Sequence, residues 1–341
     1  MSENPEKMLS YTTDTLVVLM PAYNATAFLD EAIRSILEQT FTDFDLLVVD
    51  DCSTDGTAEM IRSYEDPRVH LMQRSENGGV VSALNVGLDH VKHKYIARMD
   101  ADDRSVLDRF EKQFNFLQEN PDIDMVGAHL RNFGVEAAEW NYPLTHDEIK
   151  AGFLFGNCFP HASLMAKAEV FKDARYSKCV PHMEDYELWL RLIEKYRFAI
   201  LPDRLYEYRR HDEGVTIAFK QSHRKRLKTL LREPLKWLGI EPTETELNLL
   251  AVDPNALQGG YETYMETYHQ LLQRIERANN VKQVFDPAAL KKVLDENWQR
   301  YFYLMDTADP RVALKYWNLS KRMPASQLRY LIGGLKRKVF S

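Results

Sequence analysis

At 341 residues, with 45% hydrophobic and 28% charged side chains, the chain can fill a large domain and a smaller appendage, and nothing in its composition suggests disorder. A formal net charge of -7 argues against a general nucleic-acid binder. Cys52, Cys158 and Cys179 show no CxxC pairing, so neither a zinc site nor a disulfide framework is expected and a reducing cytoplasm is the simplest compartment.

In chain order, the first part alternates short apolar strands with amphipathic helices. Leu16 to Met20 reads as a strand, followed by a helix carrying Leu29, Ala32, Ile33, Ile36 and Leu37 and by a strand from Leu46 to Val49. A helix from about Thr57, a strand from Val69 to Met72, a helix from about Val80 to Val91 and a strand from Tyr95 to Met99 continue the order. Such β-α repetition predicts an α/β domain with a mostly parallel sheet, helices on both faces and ligands beyond the carboxyl ends of the strands. Pro21-Ala22-Tyr23-Asn24, Asp50-Asp51 and Asp100 to Asp103 all fall at those ends, so three polar clusters converge on one crevice. Gly78-Gly79 is not a GxGxxG fingerprint and does not open the first helix, which ranks a dinucleotide-binding dehydrogenase low.

The run Arg98-Met-Asp-Ala-Asp-Asp103 is the most informative stretch. Carboxylates at this spacing suit Mg2+ or Mn2+, and such an ion suits a diphosphate. The competing reading is a solvated acidic turn that caps the next helix. Pro21 and Ala22 offer backbone close to a nucleotide, and Asp50 or Asp51 can accept hydrogen bonds from uracil or ribose; alternatively Asp51, Ser53 and Asp55 organise a turn. Ser105 followed by Asp108 predicts a capping box for a helix through Phe110, Phe114 and Leu117. Glu184-Asp185 opens another helix, whose Leu188, Trp189, Leu192 and Ile193 form a buried stripe; the two carboxylates either complement the helix dipole or do chemistry.

Beyond about Ile217 the alternation stops. Helices are expected near Phe219 to Leu238, Thr243 to Ala251, Tyr261 to Ala278, Pro287 to Leu304 and Ser326 to Val339, with breaks at Pro254 and Gly259-Gly260. After Asp309 there are no acids, while Arg311, Lys315, Lys321, Arg322, Arg329, Lys336, Arg337 and Lys338 accumulate beside Trp317, Tyr330 and Leu331. This tail either lies on an anionic leaflet or docks as a helix with a solvated basic face. Lys220 to Lys228 is a second basic stretch. No apolar run reaches the roughly 18 residues of a membrane span, so membrane contact is expected to be peripheral, on the inner face of the cell membrane.

Eight pieces in order give the chain a family resemblance: Met20-Pro-Ala-Tyr-Asn24, Val49-Asp-Asp-Cys-Ser-Thr-Asp-Gly-Thr57, Asn77-Gly-Gly with Ala83-Leu-Asn-Val-Gly-Leu88, Ala97-Arg-Met-Asp-Ala-Asp-Asp103, Arg109-Phe-Glu-Lys-Gln113, His161, Glu184-Asp-Tyr-Glu-Leu-Trp-Leu-Arg191 and Tyr208-Arg-Arg-His211. From about Thr15 to Thr216 the chain resembles the inverting family 2 glycosyltransferases with a GT-A type, Rossmann-like fold. The resemblance implies a nucleotide-sugar-binding and catalytic domain over residues 1–216, followed by a helical appendage over 217–341 for membrane or acceptor docking. It implies transfer of a hexosyl group from a UDP-sugar to an acceptor hydroxyl on a glycan or lipid-linked molecule, in bacterial surface polysaccharide or glycolipid assembly.

The same resemblance distributes roles. Asp185 is the general base and Glu184 supports it. Pro21, Ala22, Tyr23, Asn24, Asp50, Arg98 and Asp100 sit with the nucleotide, Asp50 on the base and Tyr23 packing near it. Asp102 meets the Mn2+ or Mg2+ directly, with Asp100 touching the ribose or a metal-bound water, and Asp103 is structural. His161 lines a sugar pocket or is a hydrogen-bonded structural histidine; Ala162 follows it where similar chains carry proline. Arg209, Arg210 and His211 bring positive charge to the diphosphate, with His211 near the metal; the alternative for each arginine is a plain exposed basic turn. The competing function classes are a non-catalytic sugar-nucleotide or glycan-binding relative and a sugar nucleotidyltransferase; the Gly-rich phosphate loop of the latter is absent around Pro21 to Ala27.

Overall fold

The computed structural model describes residues 10–134, 138–172, 174–210, 220–252, 257, 260–305, 310–322 and 324–329. The chain forms two compact units, one of residues 1–149 and 158–220, the other of 150–157 and 221–341.

In the first unit, β1 (Leu16–Ala22), β2 (Phe44–Asp50), β3 (Val69–Gln73) and β4 (Tyr95–Arg98) lie parallel in the order β3-β2-β1-β4. The chain passes from β3 back across β1 to reach β4, so strand order reverses between β1 and β4, the kind of place where open α/β sheets bind ligands. The sheet then continues with β5 (Arg104–Ser105), β6 (Met125–Gly134), β7 (Glu139–Trp140), β8 (Met165–Lys167) and β9 (Phe198–Arg210) in mixed directions. β8 runs antiparallel to β4 and β6, whereas the long β9 is parallel to β6. The parallel pattern read from the sequence therefore holds for β1 to β4, and a mixture of antiparallel pairs and the parallel β6–β9 pair completes the other half.

Helices cover this sheet: α1 (Leu29–Leu37), α2 (Thr57–Arg62), α3 (Gly79–His90), α4 (Arg109–Glu119), α5 (His146–Gly152) and α6 (Glu184–Leu192). Alternate residues Leu16, Val18 and Met20 of β1 pack with Leu29, Ile33 and Ile36 of α1 and Phe110 of α4 in one core cluster. The intervening Leu19 faces α3, where Gly87 permits close approach: a Cβ there would lie 2.3 Å from Leu19 Cδ1 and 3.1 Å from Val49 Cγ2. β1 and β2 are consequently buried along almost their whole length.

The expected capping box at Ser105 does not form. Ser105 pairs with Tyr206 as part of β5, and Asp108 takes the cap position without a side-chain cap bond. Strand pairing claimed the serine backbone first, and Ser105 N donates to Ser35 Oγ at 3.1 Å.

The second unit is helical: α7 (Lys220–Trp237), α8 (Glu244–Leu250), α9 (Gly260–Thr263), α10 (Met265–Lys282), α11 (Pro287–Phe302) and α12 (Pro310–Ser320). Thr243 and Glu246 form a reciprocal capping box at α8, and Asp286 caps α11 ahead of Pro287. Its core includes Leu231, Leu235, Leu271, Ile275, Leu294 and Phe302, together with Ala151 and Leu154 from the 150–157 segment. The sequence reading placed no helix over α12, although Pro310 opens it and Ala313, Tyr316 and Trp317 bury one side. Trp317 belongs to this core, its Nε1 donating to Gln327 Oε1 at 3.1 Å, and so it is not part of an exposed aromatic tail. Tyr330, Leu331, Lys336, Arg337 and Lys338 lie outside the described residues. Among the described residues no helix is long and apolar enough to cross a membrane.

Candidate active site

The site begins where β1 and β2 end side by side, with Ala22 in register with Asp50. Asn24, at a φ of 48°, donates its N–H to Ser53 Oγ at 2.9 Å, while its Oδ1 accepts from Thr54 N at 3.0 Å, so the two strand-end loops lock together. Tyr23 stays exposed beside them. Asp50 is fully buried; its Oδ1 accepts from Ser53 N at 3.3 Å, but its Oδ2 has no partner. A buried carboxylate oxygen without a donor is costly unless a ligand supplies one. Asp51 differs: it accepts from Gly79 N at 2.7 Å and Gly78 N at 3.2 Å and pairs with Arg74, anchoring the start of α3. Its role is organisation, as is that of Asp55, which accepts from Thr26 and Thr57.

Across β1, the turn after β4 carries the acidic run. Arg98 grips Asp100 through two bonds of 2.5 Å each. Burial works against the Arg98 guanidinium, yet Asp100 beside it holds its pKa above the ordinary value. Asp103 is sealed inside, accepting from Tyr206 Oη at 2.9 Å and Arg209 N at 2.7 Å. Burial, with Asp100 and Asp102 nearby, pushes its carboxyl well up. Tyr206 Oη also accepts from Asp100 N at 3.1 Å, and Arg209 Nε donates to the Asp102 carbonyl at 2.7 Å. Arg209 further pairs with Glu31 and sits over the rings of Phe28 and Phe133 at 4.4 Å. It braces the acidic turn. Asp100 and Asp102 are both partly exposed, whereas Asp103 is buried.

Below the turn, fully buried Arg109 donates to the carbonyls of Arg98 at 2.8 Å and Leu164 at 3.3 Å and to Gln113 Oε1 at 3.0 Å. Desolvation lowers it to about 10, still far above neutrality, so it stays charged. Gln113 Nε2 in turn donates to Ser163 O at 2.7 Å. These two residues were legible only as parts of a motif; the structure makes them the knot that joins β4 to the segment before β8.

Glu184 and Asp185 stand in the first turn of α6, whose Leu188 and Trp189 are core residues as expected. Asp185 is half-buried and accepts from Tyr186 N at 2.7 Å. Desolvation and then the charge of Glu184 push its carboxyl up to about 6, while Arg98 draws it down. Glu184 Oε2 is buried without a partner. His161 Nε2 shares a 2.8 Å hydrogen bond with Tyr176 Oη, and the imidazole packs against the Tyr176 and Trp189 rings. Burial, followed by the Arg98 charge, lowers His161 well below its usual range, so the ring is neutral. Tyr176 was not singled out by its sequence context. Asn85 of α3 clamps its backbone from both sides, at 2.9 and 3.0 Å, and its hydroxyl feels Arg98, Asp185, Glu184 and Asp100.

The structure therefore brings Arg98, Asp100, His161, Tyr176, Glu184 and Asp185 into one electrostatic neighbourhood at the carboxyl ends of the parallel strands. Arg210 ends β9, and its charge reaches Tyr208, which also feels Asp100, Asp103 and Asp102. His211 lies outside the described residues. Among the described residues no three His, Cys, Asp or Glu side chains gather to hold a metal ion unaided. Asp100 and Asp102 nevertheless offer hard oxygens of the kind that hold Mg2+ or Mn2+ jointly with substrate phosphates and water, so the donor set fits such an ion.

Comparison with known proteins gives the family. Residues 17–168 match the family described as glycosyl transferase family 2. An uncharacterized glycosyltransferase of Haemophilus influenzae is 27% identical over 77% of this chain and 82% of its own length. The Escherichia coli O-antigen biosynthesis glycosyltransferase WbnJ is 35% identical over 59% of this chain and 82% of its own. Among solved structures, Staphylococcus aureus TarS 1-349 in complex with UDP-GlcNAc aligns with a TM-score of 0.56 at 16% identity, covering 86% of this chain and 95% of that 1-349 chain. Mannosyltransferase PcManGT of Pyrobaculum calidifontis, in complex with GDP-Man and Mn2+, aligns at 0.51 with 17% identity over 97% and 88%. These two share the fold, a mixed α/β sheet of the GT-A kind. The strand-end acidic site, the family match and the WbnJ likeness lead to one conclusion: this chain belongs to glycosyl transferase family 2 and is a glycosyltransferase.

Proposed function

We propose that this glycosyltransferase moves a hexosyl group from a UDP-sugar to an acceptor hydroxyl with inversion at the anomeric carbon, using Asp185 as general base. The observation that carries the reading is the Asp185 carboxyl, raised to about 6 by burial and Glu184 within reach of the Arg98 that grips Asp100. Such a carboxylate is ionised at neutral pH yet more basic than an ordinary aspartate. It takes the acceptor proton as the acceptor oxygen bonds to the anomeric carbon; the sugar–phosphate bond breaks on the opposite side and its electron pair leaves with UDP. Glu184 keeps the base from becoming too weak.

Asp50 Oδ2, buried and without a donor, receives the N3–H of uracil or a ribose hydroxyl. Pro21, Ala22, Tyr23 and Asn24 form the neighbouring wall, with Tyr23 exposed for packing on the nucleotide. Asp102 and Asp100 would hold Mn2+ or Mg2+, with His211 as a further ligand; bound there, the ion neutralises the departing diphosphate. Arg98 and Arg210 add positive charge on the same side, and neutral His161 lines the sugar pocket. The complexes of TarS with UDP-GlcNAc and of PcManGT with GDP-Man and Mn2+ support a nucleotide-sugar donor and a divalent ion. The names of WbnJ and of the Bacillus subtilis putative teichuronic acid biosynthesis glycosyltransferase TuaG support a glycan or lipid-linked acceptor in surface polysaccharide assembly. The helical unit and its basic end would serve acceptor or membrane docking at the cytoplasmic face.

A panel of UDP-sugars tested by thermal shift with and without Mn2+ identifies the donor, because a ligand that binds only the native state raises its melting temperature. Proton NMR of the product then reads the anomeric centre. An α-linked donor giving a β-linked product is expected; retention of configuration contradicts the proposal.

A further inference from the structure

Tyr176 sits in a segment anchored from two helices. It is 5% exposed, and Asn85 of α3 bonds its carbonyl at 2.9 Å and its N–H at 3.0 Å. On the other side Arg191 of α6 donates to the neighbouring carbonyl of Arg175 at 2.7 Å, so the helix that carries Glu184 and Asp185 ties down the same segment. The ring stacks on Phe171 at 6.2 Å and tilts against the His161 imidazole at 5.2 Å. A phenol held in this way presents its hydroxyl at one point, His161 Nε2, 2.8 Å away.

Counting donors and acceptors sets the direction of that bond. The hydroxyl has one proton to place, and among the described residues Nε2 is its one hydrogen-bond partner. If Nε2–H donated to the phenol oxygen, the proton of a buried hydroxyl would be left without an acceptor. The hydroxyl therefore donates, Nε2 accepts, and the neutral ring carries its own proton on Nδ1. Nδ1 makes no hydrogen bond among the described residues and is not one of their buried polar atoms left without a partner, so in this half-buried residue it opens to solvent. Trp189 packs edge-on against the imidazole at 5.7 Å and limits its rotation. A neutral N–H suits the uncharged oxygen of a sugar hydroxyl, whereas a phosphate oxygen is better served by a charged donor such as Arg98.

We propose that Tyr176 is a positioning residue whose hydroxyl locks His161 with the ring proton on Nδ1, and that this Nδ1–H donates to a hydroxyl of the transferred sugar. The charges of Arg98, Asp100, Glu184 and Asp185 all reach Tyr176, which places the pair between the diphosphate side and the base side of the site. The sugar contact rests on the nucleotide-sugar donor proposed above; the Tyr176–His161 bond does not.

Long-range proton–nitrogen correlation spectra of the full chain with labelled histidine read the tautomer, His161 being assigned by the signal lost in His161→Ala. The wild type is expected to carry the proton on Nδ1. Tyr176→Phe keeps the ring, removes the hydroxyl and should move the signal toward the Nε2-protonated form. Calorimetry with the UDP-sugar selected by the thermal-shift panel then reads the contact. Tyr176→Phe is expected to weaken the UDP-sugar about three- to tenfold, the worth of one neutral hydrogen bond, and to leave UDP itself unchanged. In a His161→Ala background the same substitution should add nothing, because Tyr176 acts through the imidazole. A wild type with its proton on Nε2, unchanged UDP-sugar binding by Tyr176→Phe, equal weakening of UDP and UDP-sugar, or additive losses in the double variant overturns the proposal. A wild type that binds UDP but no sugar of the panel overturns the donor reading and the sugar contact with it, while the spectra still decide the Tyr176–His161 bond.

Discussion

Asp185→Asn is expected to make the protein more stable at neutral pH. An ordinary aspartate titrates near 3.8, whereas burial and Glu184 push Asp185 up to about 6. A carboxyl whose folded pKa is raised holds its proton more tightly when folded, so below about pH 4 it contributes no penalty, between about 4 and 6 stability declines, and above 6 the full penalty stands. The gap between the two values corresponds to about 3 kcal/mol at most. Because the side chain is half-buried and solvent screens it, about 1–2 kcal/mol is the expected gain for a neutral isostere. Urea unfolding of wild type and variant at pH 4 and pH 8 measures it. Coincident curves at pH 4 and a more stable variant at pH 8 are expected; equal gains at both values, or a variant less stable at pH 8, would refute the reasoning.

Glu184→Gln removes a charge that raises Asp185, so the acid limb of the kcat/KM profile is expected to move to lower pH, by about half to one pH unit; an upward move contradicts the coupling. Asp50→Asn replaces the partnerless buried Oδ2 with an amide or turns a donor toward the ligand, and UDP binding measured by calorimetry should weaken about tenfold or more. Gly87→Ala places a Cβ 2.3 Å from Leu19 Cδ1 and is expected to cost about 1–3 kcal/mol in urea unfolding by forcing α3 away from the sheet.

The parallel half of the sheet was legible because β1 and β2 are short unbroken apolar runs and α1 repeats its apolar residues at helical spacing. The second half was not. β9 mixes Pro202, Asp203 and several arginines among its apolar residues, and its pairing with β6 depends on residues some 73 positions away. A local rule also misfired where a distant partner won: Ser105 of β5 paired with β9 instead of capping α4. Asp50 and Asp100 stand out in the sequence by strand-end position, and Asp185 by its motif at a helix start. Tyr176 does not, since its importance comes from the Asn85 clamp and the His161 hydroxyl bond, contacts 91 and 15 positions apart.

The same logic that penalises Asp185 in stability assigns it the proton transfer, and turnover by Asp185→Asn tests that assignment most directly. UDP binding by the variant is expected to match the wild type, while transfer from the UDP-sugar falls about a hundred- to ten-thousandfold, the range for losing a general base. Transfer at near wild-type rate with the donor bound as before would contradict the account.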